Sequence, residues 1–300
     1  MRVIVLLVKT NSSFLKIVRT FLTFFVVLIF SAQVNAIEVL GPQPDYLNIA
    51  PTTKFANHES VEYAHFVPNL NDGFIPQGIE KLGSKIVLSG YQKVGQFNQC
   101  FLFVSKLGTS NFERKNIKRC HHGGGLSLIS DELILLSDTR RLFVLRSLDL
   151  SVIHEVKLTG KLRGSFAVVR DGQLYLGTYA QNEADALMYQ FNLSDVLNQY
   201  SLSEKQSIRA ISIPLKAQGA DFDNNGNLWL TSNAKSHGWL MKMNDDFVVT
   251  DKFKLVRGLE DIDVVGDNIW LVSESGAKPY QSWPQLFPAY FRVALSKLSN

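Results

Sequence analysis

The stretch 119-RCHHGGGLSL-128 gathers side chains that could do chemistry: two adjacent histidines, three glycines and an alternating apolar run. His-Gly-Gly-Gly can be the oxyanion-hole loop of an esterase, a histidine pair can ligate a metal, and consecutive glycines can pave a tight turn into a β-strand. The esterase needs a nucleophile elbow, yet no Gly-x-Ser-x-Gly occurs, and the helix–strand alternation of an α/β-hydrolase is missing. Neighbouring residues of an extended chain point to opposite sides, so His121 and His122 cannot enter one metal site together. The other histidines, His58, His65, His154 and His237, show no ligand-type spacing. The turn is the reading that survives, with one histidine free to face a site.

A repeat explains the turn. Gly124-Gly125 aligns with Gln77-Gly78, Arg163-Gly164, Gln218-Gly219 and Arg257-Gly258, and each opens the same order of strand, polar turn, strand and third strand. The units begin at 77-QGIEKLGSKIVLSGY-91, 124-GGLSLISDELILLSDT-139, 163-RGSFAVVRDGQLYLGTY-179, 218-QGADFDNNGNLWLTSN-233 and 257-RGLEDIDVVGDNIWLVSES-275. Their Asn-Asn-Gly-Asn and Asp-Gly-Gln turns are hairpin signals. A fourth strand closes four units, at 112–118, 152–158, 207–213 and 247–255. The fifth ends without one, and 60-SVEYAHFV-67 is available to complete it. The pattern predicts an all-β fold, a single β-propeller of five four-stranded blades closed by its N-terminal strand. Six blades is the alternative, if residues 37–70 hold a further sheet. A pair of β-sandwiches would not explain five recurrences in register.

Residues 1–36 read as a secretory signal peptide: basic Arg2, Lys9, Lys16 and Arg19, the apolar run 20-TFLTFFVVLIFSA-32, and small residues up to Ala36. The propeller domain is then 37–300, in the periplasm or secreted, with no membrane span after cleavage. The leader carries four of the 31 basic residues and none of the 27 acidic ones, so the remainder holds 27 of each sign. That balance does not point to nucleic acid. Cys100 and Cys120 flank a hairpin turning at Gly108-Thr109-Ser110, which brings them opposite one another. In an exported protein this predicts a disulfide.

In a propeller the start of each first strand and the end of each second strand surround the channel mouth on one face. That ring offers Gln77, His122, Arg163, Gln218 and Arg257 from the openings, and Asp138, Thr178, Asn233 and Glu274 from the ends. Loops 91–98 and 275–288 lie above it, the second with Tyr280, Trp283 and Phe287. Convergent polar groups under aromatic side chains predict a funnel that takes a small molecule or peptide. Slightly deeper, Glu80, Asp221 and Asp261 could converge on Ca²⁺, a cation of oxygen ligands. No cofactor is otherwise required. An enzyme, a binding module and a scaffold for a protein partner all remain open.

The units resemble exported bacterial propellers of the NHL-repeat and gluconolactonase-like class, on the pattern of 218-QGADFDNNGNLWLTSN-233. That resemblance implies a channel Ca²⁺ and lactone hydrolysis, with Glu80, Asp221, Asn233 and Asp261 as the candidate ligands. A narrower resemblance is to the five-bladed glutamine cyclotransferases, which form N-terminal pyroglutamate. Their Thr-Gln-Gly-Leu opening is similar to 76-PQGIE-80, and their Glu-Leu-Glu turn is similar to 258-GLED-261. It implies catalytic roles for Glu80 and Glu260. The chain departs from that family at Gly124, which stands where a Glu is usual, and at 87-VLSGY-91, which lacks the usual following Glu.

Overall fold

The computed structural model describes residues 37–48 and 50–300, so the expected signal peptide lies outside the described residues. Strand β1 (Val61–Phe66) precedes five repeats. The first is β2 (Ile75–Leu82), β3 (Lys85–Val94), β4 (Phe97–Lys106) and β5 (Glu113–Asn116). The second is β6 (Leu126–Ser130), β7 (Leu133–Asp138), β8 (Arg141–Arg146) and β9 (Val152–Leu158). The third runs β10 (Phe166–Arg170), β11 (Gln173–Gly177) and β12 (Leu187–Asn192). It passes through a short helix, α1 (Leu193–Leu197), and β13 (Ser201–Leu202) before β14 (Arg209–Ser212). The fourth is β15 (Ala217–Phe222), β16 (Leu228–Asn233), β17 (Gly238–Met243) and β18 (Val249–Leu255). The fifth is β19 (Leu259–Val265), β20 (Asn268–Ser273) and β21 (Ala289–Ala294).

Each repeat is one antiparallel sheet, and β1 pairs antiparallel with β21, so the last blade is sewn from both ends of the domain. The propeller therefore has five blades. Among the described residues, those of 37–60 form no sheet of their own; Leu40 makes a single parallel bridge to His65 on the free side of β1. One feature escapes the repeat: β13 runs back to pair in parallel with β9, giving blade 2 a fifth strand. Among the described residues no helix is long and apolar enough to cross a membrane.

The core consists of five apolar layers, one in each seam between adjacent blades. Because side chains alternate across a strand, Ile86 and Leu88 of β3 enter the seam with blade 5 while Val87 enters the seam with blade 2. Both faces of every sheet are thus buried, which is why the middle strands read as continuous apolar runs. Cys100 and Cys120 form a disulfide with Cα atoms 5.2 Å apart, and the Cys100 N–H donates to the Cys120 carbonyl, as the hairpin register required.

The seams carry the stability. Phe291 is 0 % exposed, edge-on to Phe287 in the seam of blades 4 and 5, whereas Phe97 at the tip of the β3–β4 hairpin is 77 % exposed. Phe291→Ala is expected to cost ~3–5 kcal/mol in urea unfolding and Phe97→Ala no more than ~0.5 kcal/mol. Equal costs would show that the seams do not hold the fold.

Candidate functional site

The inner strands crowd around a narrow axis, and that crowding sets the backbone of the HHGGG turn. A Cβ on Gly124 would lie 2.4 Å from the Ser165 carbonyl oxygen of the next blade, so only glycine fits. The turn is fastened from outside by Asp138, whose Oδ1 accepts the N–H groups of His121, His122 and Gly123 at 3.2, 2.7 and 3.2 Å. The two histidines sit in a bend and differ in exposure. His121 is exposed, and His122 stacks on Tyr91 with ring centroids 5.0 Å apart. Burial lowers the pKa of His122 against the opposing pull of Asp138, which favours the neutral ring.

Gln77, His122, Arg163, Gln218 and Glu274 line one cavity of about 430 Å³ at the channel mouth, together with Tyr91, Tyr179, Tyr280 and Ser165. Five of the nine residues placed at the channel mouth by the repeat therefore line the cavity; the other four stand behind it, Thr178 donating to the Arg163 carbonyl. Asp138 fastens the turn. Asn233 accepts the Gly258 N–H and donates to the Leu259 carbonyl. Arg257 stacks its guanidinium 3.8 Å over the Trp283 ring and lends positive charge to Glu274. Trp283 in turn packs on Tyr280 at 4.5 Å, while Phe287, expected above the funnel, is fully buried in the core. Tyr179 went unnoticed in the sequence, although it directly follows the ring residue Thr178.

Glu274 of the cavity wall is paired with a second carboxyl, Glu260. Strand β19 has a bulge between Leu259 and Ile262, so Glu260 and Asp261 share the ladder space of one residue and their side chains part. Glu260 accepts from Gln218 Nε2 at 3.0 Å and is hydrogen-bonded to Glu274. Glu274 accepts from Gln77 Nε2 at 3.1 Å and from the hydroxyl of Tyr280, which is itself hydrogen-bonded to Tyr91. Burial, then the adjacent Glu274 charge, pushes Glu260 far above the usual carboxylate range. Burial raises Glu274 to about 7, against the lowering hydrogen bonds from Glu260 and Gln77. The two carboxyls are hydrogen-bonded to one another, and burial raises both.

Asp261 takes the other direction, into the axis. Its Oδ2 accepts the N–H of Ile79 at 3.1 Å and of Leu126 at 2.8 Å, tying blade 5 to blades 1 and 2. Around it, Asp263 accepts from Lys81 N, Asp221 from Val264 N, Glu80 from Leu128 N and Ser127 from Val169 N, each across a blade boundary. Glu80, expected as a catalytic group, thus lies in the channel wall and does not line the cavity. The acids do not fit a Ca²⁺ site. Both oxygens of Asp221 accept backbone N–H groups, and among the described residues no three His, Cys, Asp or Glu side chains are grouped to hold a metal ion. Burial first, and then mutual repulsion, raises Glu80 well above its ordinary range and Asp221 to about 8.

No protein-family model matches the chain, and no curated protein matches it. Solved structures do. The fold is similar to a glutaminyl cyclase of Myxococcus xanthus, with TM-score 0.54 and 12% identity over 79% of this chain and 97% of that one. It is also similar to a luciferin-regenerating enzyme, with TM-score 0.45 and 11% identity over 79% and 96%. BamB from Moraxella catarrhalis matches with TM-score 0.34 and 9% identity over 74% and 83%. At these identities the likeness is one of fold.

The buried acids set the pH dependence of stability. Asp263, Glu274 and Asp221 titrate at about 6, 7 and 8 in the fold, against ordinary values of 3.8 for Asp and 4.5 for Glu. Between these windows the folded chain binds more protons than the unfolded one, so stability falls as pH rises. The urea midpoint is expected to drop from pH 5 to pH 8.5, and Asp221→Asn to shrink that drop. A midpoint that rises over this range would refute the account.

Proposed function

We propose that the funnel binds the amino end of a small or peptidic ligand and moves a proton on it, closing an N-terminal glutaminyl residue into pyroglutamate. The observation that carries this reading is Glu274, which lines the cavity and is hydrogen-bonded to the buried Glu260. A base near neutral pH that touches a proton-holding acid is suited to a reaction that removes a proton at one atom and returns it at another. The α-ammonium group loses one proton to solvent and sits against Glu274. As the amine nitrogen attacks the side-chain amide carbon, a C–N bond forms and Glu274 takes the second proton. The pair returns it to the amide nitrogen as that C–N bond breaks, and ammonia leaves. Gln77 and Gln218 stand beside the two carboxyls, Tyr280 steadies Glu274, and Arg163 at the wall offers positive charge to the peptide's following carbonyl.

The same activity names one solved propeller of this fold. Glu260 lies in the turn that is similar to the cyclotransferase pattern, and Glu274, also of blade 5, is the acid beside it where blades 1 and 2 lack theirs. The Cys100–Cys120 disulfide supports work in an oxidising compartment, periplasmic or extracellular.

A glutaminyl dipeptide is expected to yield ammonia and pyroglutamyl product in equal amounts, with kcat/KM rising through about pH 7 as Glu274 loses its proton. Glu274→Gln is expected to lower kcat by ~10²–10⁴-fold with little change in KM. Binding of the dipeptide without ammonia release would sink the reaction and leave a binding funnel.

A further inference from the structure

A second cavity, of about 470 Å³, lies on the rim at the seam between β1 of blade 5 and blade 1, away from the funnel. His65 and Ser110 meet in its wall. His65 Nδ1 is 2.7 Å from the Phe66 carbonyl oxygen, and His65 Nε2 is 3.0 Å from Ser110 Oγ. A carbonyl oxygen can only accept, so Nδ1 carries the proton. Nε2 then presents a lone pair, and the Ser110 hydroxyl is the donor to it. The sequence of roles is nucleophile, base and orienting group, with a backbone carbonyl in the third place.

The imidazole is held on every side. Tyr290 stacks on one face with ring centroids 5.2 Å apart, and Phe112 meets the ring edge-on. The N-terminal segment crosses so close that a Cβ on Gly41 would come within 2.4 Å of His65 Cε1. His65 is 2% exposed, and burial lowers its pKa, so the ring stays neutral at physiological pH. Ser110, in the loop between β4 and β5, is exposed. A buried, fixed base thus faces a reachable hydroxyl.

We propose that Ser110 and His65 form a nucleophile–base dyad that accepts acyl groups from small esters. Phe66, Leu70, Phe103 and Phe112 make the cavity's apolar wall, which suits a short hydrocarbon acyl chain. Asp45 and Asp72 also line it, and among the described residues no lysine or arginine does, so the ester is uncharged or cationic. Ser110 Oγ attacks the acyl carbon while its proton passes to His65 Nε2. The tetrahedral intermediate collapses, the carbon–oxygen bond to the leaving alcohol breaks, and His65 returns the proton to that alcohol. Water, activated by the same nitrogen, then releases the acid and restores the serine.

The test treats the full protein with diisopropyl fluorophosphate, maps the adduct by peptide mass spectrometry and follows hydrolysis of p-nitrophenyl butyrate. One phosphoryl adduct is expected on Ser110, with ester hydrolysis lost in Ser110→Ala. In His65→Gln, hydrolysis is expected to fall by at least ~100-fold. Should that variant fail to fold, Ser110→Ala still decides, since its hydroxyl lies in an exposed loop. Pyroglutamate formation by the funnel is expected to be unchanged in Ser110→Ala, which separates this site from the other. No adduct on Ser110, or hydrolysis that survives Ser110→Ala, overturns the proposal.

Discussion

The Asp261 carboxyl group on the propeller axis is the interaction on which the rest is hung. It accepts backbone N–H groups from two other blades, and it fits because Gly219 has no Cβ, which would lie 2.4 Å from the Asp261 Cα. Five inner strands cannot meet around a point without leaving backbone donors that neither water nor a sheet neighbour reaches. Unpaired, each would cost about 1–3 kcal/mol. Asp261 and the ring of Asp263, Glu80, Ser127 and Asp221 supply acceptors for these donors and tie one blade to the next.

The same physics sets the ionisation of the acids at the funnel. Burial penalises charge, and every acid near the axis is raised by it before any neighbour acts. What differs is access. Both Asp221 oxygens accept backbone N–H groups, Glu80 accepts from Leu128, and neither acid borders the cavity. Glu274 borders a cavity and keeps a base form available near neutral pH. A one-residue bulge separates the two uses, sending Asp261 to the axis and Glu260 to the pair.

Closure of the ring from both ends also gathers ionisable and aromatic side chains in blade 5. Its strands hold Glu260 and Asp261, its long β20–β21 connection brings Tyr280 and Trp283 over Glu274, and its borrowed strand β1 carries His65 against Tyr290 of β21. A seam made by chain ends far apart in sequence is where the repeat is least constrained, so non-repeating side chains can enter there. The other blades mainly supply walls.

The number of blades, the closing strand and the disulfide register were legible in the sequence. Strand alternation and Gly turns are local signals, and five copies in register leave little freedom in how they assemble. The ring of polar residues at the mouth was also legible, because position within a repeat fixes position in the ring. Local pattern did not distinguish Glu274, which lines the cavity, from Asp138, which fastens a turn; each ends its second strand in the same way. Nor did it place Glu80 in the channel wall, pair Glu260 with Glu274, or bring Ser110 to His65. Those outcomes depend on which side chains from distant strands come within hydrogen-bonding distance and which are cut off from water. Periodicity in the chain determined the architecture, while proximity and burial in three dimensions decided which of its polar groups hold protons and which of them a ligand can reach.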